Sequence, residues 1–278
     1  MTEDETVKDM GGSYLLDTCR WDGSDIRPPE VAINAGSKTY GRTTIDTPIV
    51  SYGNFAFLHA PPKTMKTFAI SLLGATYLAD GTDFPNLVCN PLKGNRKGKR
   101  LAWFDTEQGS AHAARAFNRM FRMTNEGFRS ETDLFFLRSI GYKERVEAIE
   151  HYLKTTENVG LVIIDGVADL ISDVNSLEET NYIAQKFMTW TEEHQVAIVS
   201  CIHSNHGSSK PTGHLGSAME KKTETQIELT RGKGSGSSDN RPVFMSCKNS
   251  RNSGFDEIQL TINQDTALPE ACISDIFS

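Results

Sequence analysis

No apolar run in the chain approaches the roughly 20 residues needed to span a bilayer, which excludes a transmembrane helix. The opening residues, Met-Thr-Glu-Asp-Glu, are acidic where a secretory leader is basic and then apolar. Both lacks predict a cytoplasmic protein with no membrane partner. Cysteine is sparse: Cys19, Cys89, Cys201, Cys247 and Cys272 are odd in number, scattered, and never in CxxC spacing. That argues against a disulfide framework and against a zinc site. Three of the five lie in or beside apolar runs and read as small buried hydrophobes. Positive charge is not in excess either. A net charge of −7 gives no global footprint for nucleic acid, although local basic loops would suffice for a ring or filament. Residues 93–100 place five basic side chains in eight positions, and Arg231-Gly-Lys-Gly-Ser-Gly-Ser-Ser reads as a hairpin tip. A solvated turn accounts for each equally well. No internal repeat is present.

What remains is ordinary globular composition: 278 residues, 38% hydrophobic and 23% charged, enough for one substantial core or two modest ones. Residues 1–46 lack sustained periodicity and are rich in Gly, Asp, Thr and Pro, which predicts an extended arm ahead of a folded domain over 47–278. From there strands alternate with helices. Strands are predicted at 54–59, 100–105, 133–138, 161–165 and 196–202. Helices are predicted at 64–79, 110–123 and 143–155, the last with Val146, Ile149 and Leu153 on one face. Ser176-Leu-Glu-Glu179 has capping-box spacing and opens a further helix reaching about residue 194. The unbroken apolar run 161–164 marks a strand covered on both faces. After Gly213 the pattern turns β-rich, with strands at 225–230, 242–247 and 257–262. The expected fold is α/β: a doubly wound, mostly parallel sheet with a C-terminal antiparallel extension.

Between the first of those strands and its helix runs Ala60-Pro61-Pro62-Lys63-Thr64-Met65-Lys66-Thr67. Strand, tight loop, Lys-Thr and helix is the layout of a phosphate-binding loop. In such a loop backbone amides and a helix N-terminus surround a polyphosphate, the lysine reaches its outer phosphates, and the hydroxyl holds Mg²⁺. Lys66 and Thr67 stand where those groups belong. Ala60 and Met65 replace the two glycines of the strict pattern, which ordinarily permit close phosphate approach and unusual dihedrals. Open α/β sheets bind ligands at the C-terminal ends of their strands. The polar residues closing the other strands are Asp105-Thr106-Glu107-Gln108, Asp165-Gly166 and His203-Ser204-Asn205-His206.

This combination resembles the RecA-fold ATPases, which include recombinases and ring-shaped replicative and plasmid helicases; the resemblance runs from about residue 50 to the end. It implies ATP and Mg²⁺ as cofactors, with Asp165 as the metal-holding Walker B carboxylate beside Thr67. It implies that Glu107 polarises the attacking water, with Asp105 as the rival base. His203 stands at the γ-phosphate sensor position, with Asn205 as a candidate to share that role. The stretch from Phe244 through Lys248 and Arg251 to Gly254 resembles the Lys-x-Arg-Asn-Gly strand-turn of hexameric helicases, in which a lysine and an arginine reach a neighbour's ATP. One extra residue separates Lys248 from Arg251 here, which leaves open which of them reaches the phosphate. Some phage and mobile-element relatives are similar in lacking the second glycine and carrying a lysine where Lys63 stands. The resemblance further implies a homo-oligomer, a hexameric ring above all, acting on single-stranded DNA. The loop after the sensor strand supplies Lys210 and His214 as DNA contacts, followed by Lys221 and Lys222 on the next helix. No aromatic residue sits in that loop, so contact with phosphates rather than bases is expected.

Overall fold

The computed structural model describes residues 14, 16–17, 19–205, 210–232 and 241–273. Residues 233–238 of the hairpin tip expected at 231–238, and the sensor-loop residues 206–209, lie outside the described residues. At the centre are six parallel strands in the spatial order β10-β3-β9-β8-β6-β7. They are β3 (Phe55–Ala60), β6 (Arg100–Asp105), β7 (Thr132–Phe136), β8 (Val159–Asp165), β9 (Ala197–His203) and β10 (Thr225–Arg231). Beyond β10 the sheet continues antiparallel through β11 (Val243–Ser250), β12 (Ile258–Ile262) and β13 (Pro269–Ile273). Two-residue β4 (Val88–Cys89) closes that edge. This is the expected doubly wound sheet with its antiparallel extension.

Side chains alternate across each strand, so the sheet divides two cores. Leu58, Leu101, Trp103, Leu161, Ile163 and Val199 face α1 (Lys66–Ala79) and α2 (Ser110–Met123). Phe57, Phe104, Val162, Ile164 and Ile198 face α3 (Tyr142–Thr155), α4 (Leu177–His194) and α5 (Gly213–Glu220). Covered on both faces, β8 is buried at every one of its seven residues, as its unbroken apolar run requires. Ser176 caps α4, its side chain accepting from the Glu179 amide at 3.3 Å. Glu179 does not return the bond to the cap. Its carboxylate instead takes the amides of Ser172 and Asp173, at 2.8 and 3.0 Å, and ties down the loop after β8.

The N-terminal portion departs from expectation. Residues 31–51 form an antiparallel hairpin, β1 (Val31–Tyr40) and β2 (Thr43–Ser51), to which β5 (Lys93–Gly94) adds a third strand. The expected boundary at residue 46 falls inside β2. Ala32, Ile33, Ile49 and Val50 are fully buried in the core that covers α1. For that reason α1 is buried at all eleven positions from Ala69 to Ala79 rather than along one stripe. Of the cysteines, only Cys201 is fully buried, while Cys19 and Cys272 are exposed. Among the described residues no helix is long and apolar enough to cross a membrane.

Candidate functional site

Strand register assembles the site. Ala60 pairs with His203, while Asp165 pairs with Asp105 on one side and Cys201 on the other. The ends of β3, β9, β8 and β6 therefore stand in one row, as neighbouring strands. A cleft of about 550 Å³ opens over them, and it brings together residues 62–67, Glu107, Asp165 and His203. Ala60 and Pro61 are not part of its wall. Ala60 is the last residue of β3, fully buried, so the loop proper begins one or two residues later than the octet suggested.

The loop adopts glycine-like geometry without glycine: Lys63 has φ 61° and Met65 φ 57°. Met65 is the cap of α1, its carbonyl accepting from the Ala69 amide at 3.0 Å. The amides of Lys66 and Thr67 begin the helix and carry its positive dipole end into the cleft. Lys66 Nζ lies 2.9 Å from His203 Nδ1, and His203 Nε2 lies 3.2 Å from Glu107 Oε1. The hydrogen bond from His203 is the main reason the Glu107 carboxyl titrates below its ordinary value.

Behind this surface relay lies a buried pair of acids. Asp165 is 2% exposed, and burial, with Asp105 and Glu107 nearby, pushes its pKa up to about 7. Its side-chain partner is the Gln108 amide, which donates to Asp165 Oδ2 at 3.1 Å and to Asp105 Oδ2 at 3.0 Å. Asp105 also accepts the Glu107 and Gln108 amides, at 3.2 and 2.8 Å. With both oxygens engaged and no exposed surface, Asp105 serves to turn the chain and aim Glu107 into the cleft. Gly166 follows at φ 110°, where an added Cβ would strike the Thr106 hydroxyl.

A buried carboxylate whose side-chain partner is a neutral amide fits a cation. Among the described residues no group of three or more His, Cys, Asp or Glu side chains could hold a metal by itself. Mg²⁺ is ordinarily held by one or two side chains together with phosphate and water. Asp165 and Thr67 both line the cleft.

Several cleft residues carried no signal in the sequence reading. Arg119 on α2 stacks its guanidinium 3.5 Å from the Phe68 ring centroid and donates to Ser71 Oγ at 3.3 Å. Burial, and to a lesser degree Arg122, lowers its pKa to about 10. His112 and Arg115 line the same wall two turns and one turn earlier, and Arg231 enters from the end of β10. The i, i+4 spacing of Arg115 and Arg119 on the helix after Glu107 was the available clue.

The remaining expected residues fall elsewhere. Asn205 turns away from the cleft, its side chain donating to the Pro211 carbonyl at 3.4 Å, which removes it as a second sensor within this chain. Lys210 and His214 line a different cleft of about 630 Å³, together with Lys248 and Asn249. Lys248 forms an ion pair with Glu228. Helix α5 ends at Glu220, so Lys221 is its cap and Lys222 lies in the turn beyond, not on the helix as expected. Six helical residues, roughly 9 Å of helix, lie between His214 and Lys221. Lys222 instead lines a third cleft with Arg251, whose Nη2 donates to the Lys222 carbonyl at 2.9 Å. That cleft lies at the N-terminal end of β3, beside Asn54 and Phe55, so neither Lys248 nor Arg251 reaches the site of its own chain.

Comparison with known proteins agrees with this architecture. No curated protein sequence matches the chain significantly. Among solved structures, the KaiC-like protein of the hyperthermophilic archaeon Pyrococcus horikoshii superposes with a TM-score of 0.58 at 12% identity, covering 88% of this chain and 100% of that one. At that identity the likeness bears on the fold alone, a RecA-like sheet. The model of a family described as AAA domain matches residues 30–209, which takes in the hairpin from Val31, the phosphate loop, Glu107, Asp165 and His203. Because that match spans well over half of the sequence, the chain belongs to the AAA domain family of P-loop ATPases.

Proposed function

We propose that the chain is an ATP-hydrolysing RecA-fold motor that acts on DNA, a ring-forming helicase-type ATPase serving replication of a phage, plasmid or mobile element. The observation that carries the hydrolytic part is the meeting of Lys66, Glu107, Asp165 and His203 in one cleft at a helix N-terminus. Phosphoryl transfer is mostly positioning and charge neutralisation, and these groups divide that work. Lys66 and the loop amides neutralise the outer phosphates, and ionised Glu107 accepts the hydrogen bond that orients the attacking water. His203 spans the two. Mg²⁺, held by Thr67 and Asp165, would supply charge for the phosphate oxygens.

Ring formation is supported by the distance of Lys248 and Arg251 from their own cleft, since such cations serve ATP only when a neighbouring copy presents them. DNA contact is supported by Lys210 and His214 sharing one open cleft; Lys222 lines another cleft, and Lys221 caps the helix that follows His214. Among the described residues the Lys210 and His214 cleft is lined by no Phe, Tyr or Trp, which supports phosphate contacts and sequence-independent binding.

Steady-state ATP hydrolysis, with and without single-stranded DNA, on the wild type and Lys66→Ala, tests this reading. Turnover independent of Lys66 would discard the enzyme. Turnover that DNA leaves unchanged would discard the motor and favour a slow ATP-dependent switch, the alternative to which the glycine-free phosphate loop points. Electron microscopy with ATP and single-stranded DNA separates a closed ring from the open filament of a strand-exchange or annealing protein.

A further inference from the structure

The phosphate loop holds two left-handed residues, Lys63 and Met65, with no glycine to make that conformation cheap. Within the loop, side-chain support is slight: Thr64 Oγ1 reaches the Pro62 carbonyl only at 3.5 Å. Support arrives from a distant strand. Arg231, the last residue of β10, donates through Nη2 to the Lys63 carbonyl oxygen. Strand β10 runs parallel to β3 with Glu228 opposite His59, so its end emerges beside the loop that leaves β3.

We propose that Arg231 is a positioning residue for the nucleotide site, its guanidinium fixing the Lys63 carbonyl and so holding the glycine-free loop in its left-handed shape. The proposal rests on reading this cleft as the ATP site. A carbonyl's direction is set by its own residue's ψ, so a charged donor on that oxygen stabilises one conformation of Lys63 over the extended alternatives. Pro61 and Pro62 already restrict the front of the loop. A loop ordered beforehand receives phosphate without an ordering cost, whereas a released loop spends binding energy on reordering. The effect therefore belongs to ATP affinity more than to the chemical step. Arg231 also lines the cleft, so direct contact with a phosphate is the competing role that the test must separate.

Steady-state ATP hydrolysis by the full chain provides the test. Arg231→Ala should raise KM for ATP about tenfold, with kcat within about twofold of wild type. In that background Lys63→Gly and Lys63→Ala both delete the lysine's charge, but only glycine relieves the left-handed backbone. KM should be several-fold lower for the glycine double variant. Equal KM for the two double variants, or a wild-type KM for Arg231→Ala, overturns the proposal. Should Arg231→Ala fail to fold, Arg231→Gln retains an N–H for the carbonyl and Arg231→Met does not. A KM near wild type for Gln and raised for Met supports the clamp, and equal values overturn it. Loss of all Lys66-dependent turnover would sink the ATP reading and the clamp with it, while intact turnover with equal double variants sinks the clamp alone.

Discussion

The ammonium of Lys66 donates to Nδ1 of His203 across 2.9 Å, and this contact fixes the imidazole tautomer. An ammonium has no lone pair, so Nδ1 must accept and Nε2 must carry the proton that it donates to Glu107. A phosphate oxygen at the loop competes with Nδ1 for the same ammonium, so nucleotide and His203 bear on Glu107 through one side chain. Substituting His203 by Ala should lower kcat on the order of 10²-fold with a smaller change in KM. His203→Gln, which keeps one donor and one acceptor, should retain more turnover than Ala. Equal loss in the two variants would argue against the relay, and single-turnover kinetics read it directly.

Asp165 is a buried acid with a neutral amide as its side-chain partner, which favours cation binding at the expense of the metal-free fold. Asp165→Asn should raise metal-free stability by about 1–3 kcal/mol, because it removes an unpaired buried charge. The same change should abolish Mg²⁺-dependent hydrolysis. Thermal melting in the presence of a chelator, set beside an ATPase assay, checks both signs. A variant that is less stable and inactive would point to a structural role instead.

His59 is fully buried between Ser204 Oγ, 3.1 Å from Nδ1, and the Gln226 amide, 3.2 Å from Nε2. Burial pushes its pKa down to about 4 from the ordinary 6.5. Between those values the unfolded chain binds a proton that the folded chain does not, so stability is present above pH 6.5 and falls as pH drops toward 4. The loss from this group should reach about 3 kcal/mol. His59→Gln should flatten that acid limb in urea midpoints taken from pH 7 to pH 4. The buried carboxylates contribute alike to both proteins and cancel in the difference.

Ile33 in β1 is fully buried, whereas Ile26, seven residues earlier, is 75% exposed. Ile33→Ala should cost about 2–5 kcal/mol by opening a cavity over α1, and Ile26→Ala close to nothing. Denaturant unfolding of the two variants shows whether the hairpin belongs to the cooperative core. Equal, negligible effects would restore the view of an independent arm.

Strand 100–105 and helix 110–123 were legible to the residue, because the strand is a continuous apolar run and the helix carries a buried stripe at helical spacing. The β1–β2 hairpin was not. Only one end of it is buried, Lys38 to Asp46 is largely exposed, and Pro48, a residue that ordinarily argues against a strand, lies inside β2, so neither strand alternates along its length. Strand β13 begins at a proline and was missed for a related reason. In the cleft, Lys66, Glu107, Asp165 and His203 each followed an apolar strand in the sequence, whereas Gln108, Arg119 and Arg231 act through partners far along the chain.

Taken alone, the order of residues determined which segments become strands, which polar groups close them, and that a lysine and a threonine follow the first buried one. Periodicity reports local burial, and local burial is enough for that. Only the tertiary structure decided that those ends lie side by side, that Asp105 faces inward while Glu107 faces the cleft, and that Lys248 and Arg251 open onto other surfaces. Strand order and register come from packing between segments distant in the chain, and no local pattern encodes who the neighbour will be.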